Sequence, residues 1–516
     1  MIKIFNKFFR LFFSDALLIA IIVLNVIINL FQTIKGKIVY DIDIARDFLL
    51  IDQIILTQHP TLIGARTAID GVFHGPFWLY LNLPIFFLSK GNPIVISWFW
   101  LLLFMLLLLS VFIITSKIAD KKSALIACTL LSTQGIFFIK SPTNPFGAFL
   151  LYPFFFYFFL NYVCKHNKQH LALSVILLGF IIQSEIVFGL PIFFLSILFV
   201  IFIKKQIKDL LLFTLILIPL SSYIVFDANH SMLQATSLLR FITQKGSYSH
   251  FVNILIDRIF GFFSYSIQLF SYYPVNEKTS SVLCTIFNFL ISCFFILFIF
   301  KQRSHRKRIN QNMLYLSIYF YFGFWFLTLF TSQTIHWYYY FPFLTVTIIC
   351  FAILITKFSH YVLYPVILLI VSFNMIQGLK SFQYSDINSS SWEFHYNLAK
   401  HIFKDAPKQF GYYINTFDQI SSYLPMYAMK YSQQQFAQTR SHSLEKKPIT
   451  YLIIGSYPDN KPLDNNWWKK ERVRITKKPL EKIVYKNGFV VEKYFLNDAE
   501  LKTPADTTIF QTLQYR

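Results

Sequence analysis

Long apolar runs separated by short polar connections fill the first 380 residues, and no other feature restricts the fold as strongly. A helix of about 20 predominantly apolar residues crosses a bilayer core of about 30 Å. Such runs cover Leu11–Phe31, Ile94–Ser116, Ser123–Ile139, Pro145–Val163, Leu171–Glu185, Val187–Ile203, Leu210–Phe226, Ser280–Phe300, Met313–Phe330, Trp337–Ile355 and Tyr361–Ile376. The reading is an α-helical polytopic membrane protein of about eleven spans. The pair around Ser184–Gly189 also admits one bent segment. Composition agrees: 55% of residues are apolar and 14% charged, where soluble domains carry nearer a quarter. The net charge of +22 is spread through short clusters between runs rather than along one face, which argues against nucleic acid as a partner. The five cysteines, Cys128, Cys164, Cys284, Cys293 and Cys350, all lie in or beside apolar runs, so neither a disulfide framework nor a zinc site is expected.

The connections alternate in charge. Lys117, Lys121 and Lys122, then Lys165 and Lys168, then Lys204, Lys205 and Lys208, and finally the stretch from Lys301 to Arg308 fall on the side of the basic N-terminus. The opposite side receives Lys35–Asn92, Lys140–Asn144, Asp227–Arg258, Thr331–His336 and the chain after Gly378. The positive-inside rule makes the first set cytoplasmic. Eleven spans starting inside also end outside, so count and charge point to one orientation: N-terminus cytoplasmic, tail extracytoplasmic.

Two domains are expected: a membrane domain over residues 1–380, with an external loop over 34–92, and a soluble α/β domain over 381–516. In the first loop a helix is predicted over Asp41–Leu56 and another over Pro76–Ser89, where proline suits the first helical position. The second is too short to span and reads as interfacial or re-entrant. His230–Thr243 in a later loop is moderately amphipathic. In the tail, Trp392–Ala406 has helical spacing, Asp418 suits a cap, Tyr412–Asn415 and Ile449–Gly455 read as strands, and Lys482–Phe495 reads as a hairpin about Asn487-Gly488.

Asp41, Asp43, Arg46 and Asp47 crowd into seven residues of the first external loop. On a helix, Asp43 and Asp47 share a face at i,i+4, and Arg46 neighbours Asp43 at i+3. Carboxylates and a guanidinium at the bilayer surface suit an acceptor hydroxyl and a lipid phosphate. The same pattern also fits a plain helix start, where acidic residues are favoured and Arg46 pairs with its neighbours.

The run Tyr40-Asp-Ile-Asp-Ile-Ala-Arg-Asp47, followed by Gly71-Val-Phe-His-Gly-Pro-Phe-Trp-Leu-Tyr80, resembles bacterial members of the protein-mannosyltransferase-like group of GT-C glycosyltransferases. Asn144-Pro145, the loop from Phe226 through Asp227 to Ser231, the cluster His336-Trp-Tyr-Tyr-Tyr340 and the strand Tyr451–Ile454 extend the resemblance over most of the chain. It implies a GT-C fold and a polyprenyl-phosphate-linked sugar as donor. The related lipid A aminoarabinose transferases carry an Asp-Glu-x-Arg pattern that supplies an essential Asp and a phosphate-binding Arg. Those positions fall on Asp43 and Arg46, with Ile44 in place of the Glu. Their second acidic residue, before Lys-Pro, falls on His74, so that carboxylate and the lysine are both missing here. The gap leaves a shared divalent metal open.

The resemblance thus implies Asp43, Asp47 and His74 as catalytic candidates. Arg46 leads the substrate-binding candidates, with Asp41, Arg66, Arg240, Lys245 and His336 behind it. A polyprenyl phosphate is a good leaving group, and an oxocarbenium-like transition state can be stabilised by a carboxylate that also takes the acceptor proton. The acceptor would be a lipid such as lipid A, a polysaccharide or other glycan, or a protein, met at the outer face of a bacterial cytoplasmic membrane among its lipids. His336 reads as a contact to donor phosphate or acceptor or as an aromatic-belt anchor, Glu185 evenly as a functional charge or one that reaches water, Asn144 as closing the lipid pocket or forming a turn, and Trp467-Trp468 as stacking on sugar or as core packing or membrane contact. Two other functions stay open: a flippase or transporter of lipid-linked glycan, and an inactive relative that binds lipid-linked sugar. A transporter predicts matched Gly/Pro-broken halves, and no internal symmetry is visible.

Overall fold

The computed structural model describes residues 15–34, 36, 38–138, 142–243, 251–261, 269–270, 286, 288–290, 293, 308–331, 333, 335–358, 360–383, 391–418 and 420–506. Most of Ser280–Phe300, the start of Leu11–Phe31 and nearly all of the basic stretch Lys301–Arg308 lie outside the described residues.

The apolar runs are helices: α1 (Asp15–Ile34), α4 (Pro93–Ile118), α5 (Lys121–Phe138), α6 (Asn144–Lys165), α7 (Lys168–Ser184), α8 (Ile186–Leu198), α9 (Leu217–Asn229), α12 (Arg308–Thr328), α13 (Phe343–Ile355) and α14 (His360–Gln383). Between α1 and α4 lie α2 (Ile42–Thr57) and α3 (Phe77–Leu88). After α9 come α10 (Leu233–Thr243) and α11 (Phe251–Gly261). Among the described residues, Pro93–Ile118, Asn144–Lys165, Ile186–Lys204 and Ile207–Asn229 are helical segments long and apolar enough to cross a membrane, and several shorter apolar helices accompany them. On α4, Leu101, Phe104, Leu108 and Val111 are buried, while Leu102, Leu106, Leu109 and Ile113 lie exposed. A helix apolar all round with one face uncovered is at home in lipid. The chain is an integral membrane protein.

The chain divides into two compact units: Met1–Phe31, Pro60–Leu81 and Trp98–Ser381 form one, and Gln32–His59, Asn82–Ser97 and Phe382–Arg516 the other. In the first, small residues let helices approach closely. A Cβ on Gly179 would lie 2.2 Å from Pro219, and one on Gly147 would lie 2.6 Å from the Ser184 hydroxyl. Buried amides are satisfied across helices: Asn25 donates to Ser132 at 3.1 Å, and Asn374 to Thr133 at 3.1 Å. Such bonds stabilise helix association where no water competes. The pair around Ser184–Gly189 is two helices, since Glu185 is extended (φ −149°, ψ 95°), ends α7 and caps α8.

The second unit contains a five-stranded mixed sheet of order β2-β1-β3-β5-β4, with β1 Gln409–Asn415, β2 Arg440–Ser443, β3 Ile449–Ile454, β4 Glu481–Val484 and β5 Val490–Phe495. β1 pairs in parallel with β2 and β3, whereas β5 is antiparallel to β3 and β4. Parallel neighbours and helical cover explain why β1 is buried on both faces. The β4–β5 hairpin closes on the loop Lys486–Gly488, with Tyr485 donating to Phe489 and Gly488 at φ +82°, the left-handed turn position that glycine suits. Helices α15 (Trp392–Asp405) and α16 (Tyr423–Gln435) pack together, and α2 packs on α16. Tyr40 is fully buried edge-on to Trp392 at 5.2 Å and donates to the Leu424 carbonyl at 3.1 Å. Asp52 of α2 forms an ion pair with Lys430 of α16. Asp418 accepts from the Ser421 amide at 2.7 Å and caps the turn leading into α16.

Candidate functional site

The acidic cluster begins α2. Asp41 is its N-cap, in extended conformation, and accepts the Ile44 amide at 2.9 Å. A side-chain oxygen there satisfies an amide that the helix leaves without an internal partner. Arg46 then joins two carboxylates, Asp43 at 2.9 Å and Asp47 at 3.5 Å. The three side chains differ in depth: Asp43 is 53% exposed, Arg46 12% and Asp47 5%. Burial pushes the Asp47 carboxyl up to about 7, against the downward pull of Arg46. Burial alone disfavours the Arg46 charge, but Asp47, Asp43 and Asp41 outweigh it and raise its pKa above the ordinary range. The arrangement presents one oriented carboxylate, Asp43, at the surface of its unit, backed by a buried cation. Among the described residues, no group of three or more His, Cys, Asp or Glu side chains is placed to hold a metal. Arg46 fills the place between Asp43 and Asp47 where a cation would bridge them.

His74 and Arg66 belong to the other unit, with the stretch Pro60–Leu81 of the first loop. Residues 64–75 form a short hairpin: Gly64 donates to His74 at 2.7 Å, His74 to Ala65 at 2.8 Å and Thr67 to Val72 at 3.0 Å. Its end is fixed to the helix bundle. Gly75 donates to the Gln183 carbonyl at 2.6 Å, Phe77 donates to Gln183 Oε1 at 3.1 Å, and the Tyr223 hydroxyl donates to the Phe73 carbonyl at 3.0 Å. Gly75 permits this approach, because a Cβ there would lie 2.4 Å from Gln183 Cγ. His74 is buried and Arg66 exposed. Asp227 caps α10 by accepting the Gln234 and Ala235 amides at 2.8 and 3.0 Å, and Gln234 Oε1 in turn accepts the Phe73 amide at 3.1 Å.

Arg240 is exposed on α10. His336 is exposed, with its ring parallel to Tyr338 at 5.2 Å, and partial burial lowers its pKa. Lys245 lies outside the described residues. Asn144 is buried at the first turn of α6. Trp467 is exposed under Arg472 at 5.1 Å, while Trp468 packs against the core of the sheet domain. Sequence reasoning missed Gln183, Tyr223 and Gln234. They hold the hairpin through contacts more than 100 residues apart, which no local pattern announces.

No protein-family model matches the chain, and no curated protein matches it by sequence. Solved structures do. ArnT from Cupriavidus metallidurans bound to undecaprenyl phosphate aligns with a TM-score of 0.57 at 10% identity, over 93% of this chain and 97% of that one. Its apo state aligns with a TM-score of 0.57 at 9% identity, over 91% and 97%. An Archaeoglobus fulgidus oligosaccharyltransferase tethered with an acceptor peptide aligns at 0.48 and 12% identity, over 89% and 67%. Along nearly its whole length the chain therefore has the fold of that aminoarabinose transferase, the GT-C fold.

Proposed function

We propose that the chain is a membrane glycosyltransferase that moves one sugar from a polyprenyl-phosphate carrier to an acceptor on the outer face of a bacterial cytoplasmic membrane. The observation that carries this reading is the Asp43 carboxylate, half-exposed and held by Arg46 at 2.9 Å at the start of α2. It stands in a fold shared with a protein solved with undecaprenyl phosphate bound. Asp43 takes the proton of the acceptor hydroxyl or amine as the new glycosidic bond forms, or stabilises positive charge growing on the sugar. Arg46 fixes the direction of Asp43 through their contact at 2.9 Å. The departing carrier phosphate needs cations, and Arg46, Arg66 and Arg240 are the candidates by charge. Asp47, deep in its unit, is assigned to holding Arg46.

Packing supports the proposed orientation. Lys204 donates to the Val163 carbonyl at 2.8 Å and meets His166 at 3.3 Å, which gathers the lysine-bearing ends of α6, α7 and the α8 segment. The hairpin 64–75 binds the other end of α7 at Gln183. Lysine clusters and loop thus lie at opposite ends of α7, as an eleven-span chain with a cytoplasmic N-terminus and an external tail requires. Mass spectrometry of envelope lipids and glycans from cells with and without the gene tests the reading. A discrete hexose, pentose or amino-sugar mass difference supports it, and identical profiles oppose it.

A further inference from the structure

Glu185 is a carboxylate that the mechanism above leaves unused. It lies between α7 and α8, is 1% exposed, and spends one oxygen as a helix cap, Oε1 accepting the Val187 amide at 3.3 Å. Its other oxygen, Oε2, has no hydrogen-bond partner among the described residues. A buried carboxylate oxygen left without a donor is costly, and such groups are rare in folded proteins.

Two phenols that interact with it are engaged elsewhere. Tyr223 and Tyr339 lie close enough to interact electrostatically with Glu185. Yet the Tyr223 hydroxyl donates to the Phe73 carbonyl, and Tyr339 hydrogen-bonds Tyr338. Gln183, the residue to which the hairpin end is fixed, stands two residues before Glu185 in the chain. An extended residue between two helices, a cap that uses half of a carboxylate, and phenols turned aside together leave one acceptor position open.

We propose that Glu185 Oε2 accepts a hydrogen bond from a substrate hydroxyl or protonated amine, so that Glu185 is a substrate-recognition residue for the sugar or for its acceptor. The assignment rests on the glycosyltransferase reading and adds to it the side of the reaction that Glu185 serves.

The test uses full-length protein in nanodiscs. Glu185→Gln keeps an oxygen to cap Val187 and replaces the open acceptor by a donor. One arm compares binding of bare undecaprenyl phosphate with undecaprenyl-phosphate glucose, N-acetylglucosamine and arabinose. The other measures transfer to the envelope fraction of cells lacking the gene. A hydrogen bond to a charged group supports a change of about tenfold or more. If the ligand is the carried sugar, Glu185→Gln loses about tenfold in preference for a sugar-bearing lipid over the bare one. If it is the acceptor, that preference stays and the half-saturating amount of envelope fraction rises about tenfold. Glu185→Asp retains a carboxylate and recovers part of the effect in either arm; it is read in the same two arms should the Gln variant misfold. A folded Glu185→Gln with both measurements unchanged overturns the assignment. Wild-type protein that neither prefers a sugar-bearing lipid nor transfers sugar refutes the function itself, and the assignment with it.

Discussion

Replacing Asp47 by Asn should make the protein more stable, and increasingly so as the pH rises. The Asp47 carboxyl is 5% exposed and its pKa is pushed up to about 7, against about 3.9 in an unfolded chain. Roughly three pH units at about 1.4 kcal/mol each give ~4 kcal/mol of destabilisation once the folded group is ionised. Below about pH 4 the acid is protonated in both states and the penalty is absent. Between pH 4 and 7 the unfolded chain releases this proton while the folded one keeps it, so wild type loses stability as pH rises. Above pH 7 the full penalty applies. Asparagine does not titrate and still offers Arg46 an oxygen. Thermal unfolding of full-length protein in detergent should give Asp47→Asn a gain that grows from pH 4.5 to about 7 and then levels, reaching on the order of ten degrees. A difference that stays flat over this window, or that shrinks with pH, refutes the argument that burial dominates at Asp47.

Lys430→Met removes the partner of Asp52, whose side chain is 7% exposed. It should cost about 3 kcal/mol by leaving a buried carboxylate uncompensated, and adding Asp52→Asn should recover part of the lost thermal midpoint. His74→Gln leaves the two backbone bonds of the hairpin in place and removes the imidazole; if His74 replaces the missing carboxylate, transfer falls more than tenfold, about 1.4 kcal/mol of barrier, whereas a near-normal rate assigns His74 to opening the helix that follows Pro76. A phosphatase fused after Arg516 should be active and a fluorescent protein there dark; the reverse pattern contradicts an external tail.

The local features of the chain were legible because they are written in neighbouring residues. The apolar runs gave helices such as α4 and α6 within a few residues, Asp41 gave the cap of α2, and Asn487-Gly488 gave the β4–β5 turn. The i,i+4 spacing also put Asp43 and Asp47 on one helix face beside Arg46. It could not tell that Asp43 stays half-exposed while Asp47 is buried. That depth is set by how α2 packs into its unit, where its neighbour α16 lies almost 400 residues further along the chain. The role of Glu185 was hidden for the same reason. A carboxylate at the end of an apolar run reads equally as functional or as one that reaches water, and only the folded chain shows its second oxygen buried without a hydrogen-bond partner among the described residues. Gln183 carried no signal, since a glutamine near the end of a span is ordinary until a loop from far upstream binds both its backbone and its side chain.

The central claim is that Asp43 performs the transfer chemistry, and one comparison tests it most directly. Purified wild type and Asp43→Asn, reconstituted with an undecaprenyl-phosphate sugar and the envelope fraction of cells lacking the gene, are followed by mass spectrometry of the glycosylated product. Asparagine preserves shape and the contact with Arg46 but cannot accept a proton or carry the negative charge. The expected result is a loss of about 10²–10⁴ in rate, with donor binding and thermal stability retained. Asp43→Asn protein that turns over at the wild-type rate would contradict the account.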